Sequence, residues 1–520
     1  MHAKLLKFDA IAGIESNNKT VRNLERLAFL FLLLTAFSAP HSIAATQAAW
    51  LTGMLFWVAR LAFKPSVKFR LRLIDFAFWA LFLWTAVSAV FSYDQPTSIN
   101  KLRSAAVFLL FYFAFYNIRN RRAAVLAACV LVGSCMINVL WVPVERAIGR
   151  GVEIHEVNPN GPLAKALLVE GDALLTANKQ KIHNPDELLA VLEANEATDV
   201  KFYRPDFDFT VRVNRTDLLP GETANERLGI GSWEKSHNWR SRGFYGHYAT
   251  YAEVLQLIGS LAFGLLIAGF VSWQRRTAKA WHVGLIAACF ALIAFALLLT
   301  VTRAPQLGLM ISASVIVIIG LGRKWILIAA LVCVPVAIGG LYFLQQSRDV
   351  GFFDATDEST RYRKVMMQDG LRLMTDSPRN FIFGVGVDSI KKHWREWGMF
   401  EGGNLPMGHF HSTPVQLAVE RGLPALLIWL VLMGAYIRSM WRTLRRPNVF
   451  SYWRVYGILL GCLGGTVGFL ASSIVHYNFG DQEVVMTFYL LMGISMAIFE
   501  KSSDLDHSLE PSPISTSTLS

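Results

Sequence analysis

The sequence predicts an all-α polytopic membrane protein that carries a small α+β insertion. Three observations predict this fold class. Of 520 residues, 53% are hydrophobic and only 17% charged, whereas a soluble domain is about one quarter charged. The apolar residues gather in blocks that approach or exceed the roughly 20 residues a helix needs to cross a bilayer. Between two of these blocks the hydrophobic period shifts from helical to alternating, which is the mark of strands.

About twelve spans are expected, near 27–46, 47–63, 73–93, 104–118, 122–144, 251–273, 280–300, 305–322, 325–344, 422–441, 453–474 and 484–500. No cleavable signal peptide is expected, because the polar residues 1–26 run straight into a full-length apolar span. The formal charge of +12 would suit nucleic acid, but its placement argues for the membrane. Lys19, Arg22 and Arg26 precede the first span; Lys68 and Arg70 follow the second; Arg119 and Arg121 follow the fourth. Arg275 and Arg276 follow the sixth, Arg323 the eighth, and Arg438, Arg442 and Arg445 the tenth. If spans alternate, all these connections lie on one side, which the positive-inside rule assigns to the cytoplasm together with both termini. Cys129, Cys135, Cys289, Cys333 and Cys462 all fall within apolar runs, so neither a disulfide framework nor a zinc cluster is indicated. Residues 501–520, rich in Ser, Pro and acid, are expected to be a disordered tail.

Two long segments, about 145–250 and 345–421, then face outward. The first holds its own alternating strand at 151–157, turn chemistry at Asn158-Pro159-Asn160-Gly161, and a short helix at 163–168. A Gly171-Asp172 turn, a strand at 173–177, a helix at 186–195 opened by Pro185, and strands at 200–204 and 207–213 complete the unit. The order and spacing resemble a bacterial PDZ domain over about 65 residues. That resemblance implies capture of an extended C-terminal peptide as an added strand, in a groove between 151–157 and 186–195. A zinc-dependent intramembrane protease would need HExxH on a helix. The His155-Glu156 pair continues Val157-Asn158-Pro159 and lies in a strand, so that reading falls.

The second segment carries the chemistry. Arg361, Arg363 and Lys364 open a helical stretch, followed by Asp376-Ser377-Pro378 and Phe383-Gly384-Val385-Gly386. His409-Phe410-His411-Ser412 and Arg421-Gly422-Leu423-Pro424 then lead into an apolar run. Histidine takes or gives a proton near neutral pH, and an ionisable group at the hydrocarbon boundary marks a functional site by default. This series of pieces resembles the O-antigen ligase and polymerase superfamily of bacterial membrane enzymes. His411 stands at the family's histidine and Gly422-Leu423-Pro424 at its turn; Ser412 replaces the usual Asn and Ala425 the last Gly. Thr300-Val301-Thr302-Arg303, Trp239 to Phe244 and His476 to Asp481 fit the same resemblance and are expected on the same side of the membrane as His411.

The resemblance implies a helical bundle of the glycosyltransferase-C type and a metal-independent reaction without cofactor. It transfers a glycan from undecaprenyl diphosphate to a hydroxyl of lipid A core, growing glycan or protein. His411 would act as general base, with Arg303 and Arg242 holding the diphosphate. Arg303 is the only charge between two apolar runs and its planar fork matches a diphosphate. Arg240, His409, Arg361, His476 and Asp481 are the expected substrate-binding residues. The expected organisation is five spans in 1–145, the PDZ-like unit in 146–215 and spans six to nine in 216–344. A periplasmic catalytic loop in 345–421, three spans in 422–500 and the tail in 501–520 complete it. The expected location is the bacterial inner membrane with the site on the periplasmic side. Repeat-unit polymerase, non-catalytic PDZ-bearing assembly factor and transporter are the alternatives. A transporter would place its polar residues at mid-membrane, whereas here they gather at one face.

Overall fold

The computed structural model describes residues 2–63, 71–204, 207–322, 339, 358–405 and 408–507. It divides into two compact units, one of residues 1–138 with 244–520 and one of residues 139–243. The long helices are α1 (Lys19–Ser38), α2 (Ile43–Phe63), α3 (Leu73–Val90), α4 (Gln95–Asn117, broken) and α5 (Arg121–Ile148). They continue with α6 (Tyr248–Gln274), α7 (Ala280–Leu299), α8 (Arg303–Gly320), α9 (Glu358–Thr375), α10 (Thr413–Leu444), α11 (Trp453–Ser473) and α12 (Gln482–His507). Among the described residues nine helices, α3 to α8 and α10 to α12, are long and apolar enough to cross a membrane. The chain is a multi-pass membrane protein with a small sheet-bearing insertion.

Several expected boundaries move. The first expected span, 27–46, contains the break between α1 and α2, which pack on each other as a hairpin. Neither of these two helices is among the nine. The expected span at 325–344 falls outside the described residues except Gly339. Helix α12 runs to His507, seven residues into the stretch expected to be a disordered tail. Helix α10 begins at Thr413, nine residues ahead of the expected start at 422.

Helices α6, α8 and α11 form the centre of the first unit, held together by small residues and one buried amide. A Cβ on Gly264 would fall on the backbone of Gly461, and one on Gly308 would crowd the carbonyl of Gly468. Such contacts let helix backbones approach where apolar burial gives no net drive. Gln256 of α6 donates to Ser312 of α8 at 2.9 Å and to the Gly465 carbonyl of α11 at 3.2 Å. This register gathers the start of α6, the start of α8 and the end of α11 at one end of the bundle.

Helix α10 is interrupted at Gly422, whose φ of +78° is left-handed. Pro424 has no N–H, so the carbonyl four residues back is left without its helical partner. That carbonyl, on Glu420, accepts from the Gly386 N–H at 2.9 Å and from the Ser88 hydroxyl at 3.1 Å. The Val419 carbonyl accepts from the Val385 N–H at 2.8 Å, and the Arg421 carbonyl from the Trp84 indole at 2.8 Å. The Gly-x-Gly segment thus lies against the break like an added strand. A Cβ on Gly384 would strike the Glu420 backbone and one on Gly386 the Ser92 hydroxyl. Ser92 in turn hydrogen-bonds Ser98 at 2.8 Å and Ser389 at 2.9 Å, which ties the segment to the end of α3.

The second unit contains strands β1 (Arg150–Val157), β2 (Ala173–Ala177), β3 (Gln180–Lys181), β4 (Ala197–Arg204), β5 (Phe207–Asn214) and β6 (Ile230–Ser236). They form one antiparallel sheet in the order β5-β4-β2-β1-β6, with β3 beside β2. Val152, Ile154, Leu174, Leu188, Leu192 and Val200 fill its core against the helix Pro185–Ala194. Buried Asp172 of the Gly-Asp turn accepts two hydrogen bonds from Arg204, at 2.8 and 2.7 Å. The groove expected beside 151–157 is closed: β1 pairs with β2 on one edge and with β6 on the other. The outer strand on that side is β6, which sequence pattern alone did not reveal.

The α10 break gives a direct test. Gly422→Ala imposes a left-handed conformation on a side chain and drives its Cβ onto the Ile382 carbonyl, a strain of about 1–3 kcal/mol. Gly434→Ala, on the same helix with open space around it, is expected to be neutral. Thermal unfolding of the two variants in detergent should separate them, with only Gly422→Ala lowering the midpoint.

Candidate functional site

Three short segments build the site at the bundle end described above. In the first, Phe410 is fully buried among Met366, Val385, Met399 and Val419, and its N–H donates to Gln416 at 2.8 Å. This anchor fixes the residues on either side of it. The His409 and His411 rings lie 4.1 Å apart at 64°, and the His411 N–H donates to His409 Nδ1 at 3.3 Å. His411 has φ of +49°, a left-handed conformation that costs a non-glycine residue and recurs at functional positions.

The second segment joins α11 to α12. The Thr413 N–H and hydroxyl both donate to the His476 carbonyl at 3.2 Å, and the hydroxyl also reaches Asn478 Oδ1 at 3.0 Å. This places His476 beside the first turn of α10. Its Nδ1 stands 3.1 Å from Glu253 Oε1, off the line of a hydrogen bond. Glu253, on the second turn of α6, is wholly buried. Tyr477 packs 5.9 Å from the His409 ring. Asp481 accepts from the Thr250 hydroxyl; burial, then Glu483 and Glu253, push its carboxyl well above the ordinary range.

The third segment is cationic. Arg363 and Lys364 of α9 line a groove of about 380 Å³ together with Met367, Gln368, Leu371 and Val475. Lys391 runs alongside Gly408 and pairs at 3.1 Å with Asp388, whose other carboxylate oxygen meets Lys101 at 2.6 Å. Burial opposes the charge on Asp388, but the two lysines hold its carboxyl below the ordinary value.

Burial pushes His409 down to about 4, with help from the charges of His476, Lys391 and His247. Burial likewise pushes His411 down to about 2, reinforced by His409, His476, Arg363 and His247. Both imidazoles are held neutral because a desolvated cation among cations is unfavourable.

Arg303 is the first residue of α8, after its N-cap Thr302, and two positions past Val301, a β-branched residue at φ +51°. Arg361 turns aside to pair with Glu401 at 3.0 Å, while Arg363, two positions on, faces His411. Arg240 and Arg242 belong to the second unit, where the Arg240 N–H donates to Tyr203 at 3.2 Å and Arg242 lies 3.7 Å from Asp208. Sequence reading missed Glu253, His247, Lys391 and the role of Arg363. Glu253 left a signal: it is the only charge in the apolar run 251–273, where an ionisable residue marks function by default. Sequence reading also found no outward-facing cluster with metal-ligand spacing. The β1–β6 pairing brings Glu153, His155 and Glu234 within 4.8 Å of one another, among the described residues a group able to hold a metal ion.

The histidines give a pH test. Their folded-state values lie below the ordinary 6.5, so the unfolded chain binds protons at higher pH than the folded one. The stability they contribute is complete above the ordinary 6.5 and is lost as pH falls toward about 4 for His409 and about 2 for His411. The melting temperature is therefore expected to drop on acidification below about pH 6. His411→Asn, which cannot be protonated, should make that drop shallower.

Comparison with curated proteins finds no match. Residues 287–430 match the family model described as O-antigen ligase. They include α7 from its second turn, α8, the Gly-x-Gly segment, both site histidines and the Gly422 break. On that match residues 287–430 are similar to an O-antigen ligase domain.

Proposed function

We propose that this protein transfers a glycan from undecaprenyl diphosphate to an acceptor hydroxyl at the periplasmic side of the bacterial inner membrane. The observation that carries this reading is a pair of neutral, half-buried imidazoles among cations at one end of a membrane bundle. Such a site is starved of negative charge. A bound diphosphate supplies it, and the same electrostatics that suppress protonation of His411 in the donor-free protein are thereby relieved. His411 becomes an effective base when the donor is in place.

The acceptor oxygen then attacks the anomeric carbon as its proton passes to His411. The bond from that carbon to the diphosphate breaks, and its electron pair leaves on the diphosphate oxygen. Arg303 and Arg363 offer planar forks suited to that leaving group, and Lys364 adds a point charge. The apolar floor of the groove beside Arg363 suits the first isoprene units. Lipid A core, a growing glycan and a protein are the candidate acceptors, and repeat-unit polymerisation is the second reading within the same chemistry. The second unit is proposed to capture a C-terminal peptide as its PDZ-like order implies. With both edges of β1 taken, strand addition would occur along β6.

His411→Ala is expected to lower glycan transfer by about a hundred- to ten-thousand-fold at matched membrane abundance, with donor binding retained and His409→Ala milder. Transfer near wild type in His411→Ala would remove the base and most of the case for an enzyme. Arg303→Lys is expected to weaken donor binding although charge is kept, because a point charge replaces a fork. Single cysteines at positions 195 and 402, but not at 68, 276 or 445, are expected to react with an impermeant thiol reagent in intact cells. Labelling at 276 or 445 would move the site to the other compartment.

A further inference from the structure

We propose that Glu253 is a positioning residue that keeps His476 protonated, so that the imidazolium gives a hydrogen bond and a positive charge to the diphosphate of the donor. This rests on the donor reading above and adds a residue pair to it. The geometry begins with Glu253, a carboxylate with no exposure on a membrane-spanning helix. Burying such a group is costly unless it is paired and hydrogen-bonded.

The surrounding network is made of neutral groups. Asn478 Oδ1 accepts from Thr413 at 3.0 Å and Ser473 at 2.9 Å, so its amide nitrogen is the end turned toward Glu253, 3.4 Å from Oε2. That nitrogen also donates to Ser472 Oγ at 2.8 Å and to the Phe469 carbonyl at 3.1 Å, and the serine hydroxyl reaches Glu253 at 3.0 Å and the Phe469 carbonyl at 3.3 Å. The Ser472 hydroxyl and the Asn478 amide therefore line the carboxylate without supplying a charge to balance it. His476 Nδ1, 3.1 Å from Oε1, supplies the balancing cation.

Other charged and titratable groups stand around the pair. His409 and His411 before α10 interact with His476, Arg363 on α9 and His247 at the start of α6 interact with His411, and Asp481 and Glu483 at the start of α12 interact with each other and, through Asp481, with Glu253. The histidines and Arg363 disfavour another cation, which is why a carboxylate inside the bundle is needed to hold one. With Nδ1 on the side of Glu253, Nε2–H is the donor left for substrate. His411 stays neutral as base while His476 is the charged imidazole, so two histidines of one cluster take opposite roles.

The test reads the pair and the donor separately. Full-length protein labelled with 15N-histidine is followed by NMR across pH, with His476→Gln assigning the signal. In wild type the His476 imidazolium is expected to persist at neutral pH; in Glu253→Gln it should form only about one to two pH units lower, the effect of removing a close opposite charge. In parallel, undecaprenyl diphosphate binding to Glu253→Gln is expected to fall about ten-fold at neutral pH, the worth of one charge-assisted hydrogen bond. It should recover at acid pH. Ser472→Ala, which removes one donor and no charge, should shift both readouts the same way by less, and serves if Glu253→Gln folds poorly. An imidazolium signal unchanged in these variants, or lost affinity that acid does not restore, overturns the proposal. If wild type binds no undecaprenyl diphosphate at any pH, the donor reading fails, while the histidine signal still decides whether Glu253 holds the proton on His476.

Discussion

The break in α10 is the constraint from which the site is built. A proline removes one N–H and a left-handed glycine turns the chain, and the carbonyls of residues 419–421 lose their helical partners in consequence. Buried carbonyls must be satisfied, and the partners they find set the surrounding architecture. Gly-x-Gly supplies two of those N–H groups, α3 supplies a serine and a tryptophan, and Asp388 follows with its two lysines. The first segment of α10, Thr413 to Arg421, is thereby held rigidly between the motif loop and the α11–α12 connection. His409 and His411 hang from its start.

Around that frame the electrostatics are deliberately unbalanced. Half-buried histidines and an arginine converge with more exposed lysines and few carboxylates, and each cation raises the cost of the next. The carboxylates that are present have duties elsewhere: Asp388 holds two lysines, the Glu420 side chain accepts the Asp388 N–H, and Glu253 lies behind His476. A site arranged this way favours an anionic ligand, and the donor diphosphate proposed above is one. The sequence reading took His411 to be a ready base through its ordinary pKa. The structure gives a different cause for its neutrality, desolvation among cations.

Much of this was legible in the chain because periodicity and composition are local. Most spans, four strands of the insertion and the Gly-x-Gly and histidine motifs all announce themselves within short windows. What was not legible depends on pairing across long separations. Strand β6 is mixed in polarity, so its place beside β1 is visible only through register. Arg361 and Arg363 look alike in sequence, and the helix turn that sends one to Glu401 and the other toward His411 cannot be read from spacing alone. The α1–α2 break at 39–42 carries its own signal, Pro40 followed by His41 and Ser42, which a reading by apolar run length passes over. Glu253 was visible as a charge in an apolar run, but its meaning required residue 476, more than two hundred positions away.

The left-handed backbone at His411 has a consequence for how this protein can change over generations. Asparagine and glycine adopt that conformation more readily than histidine does, and neither carries a half-buried imidazole among cations. Selection for folding alone would therefore drift away from histidine at this position, toward proteins that are sturdier and inert. On the reading proposed above, the imidazole at 411 offsets that backbone cost through its chemistry, so a protein of the same fold with asparagine or glycine there is expected to lack the proposed transfer.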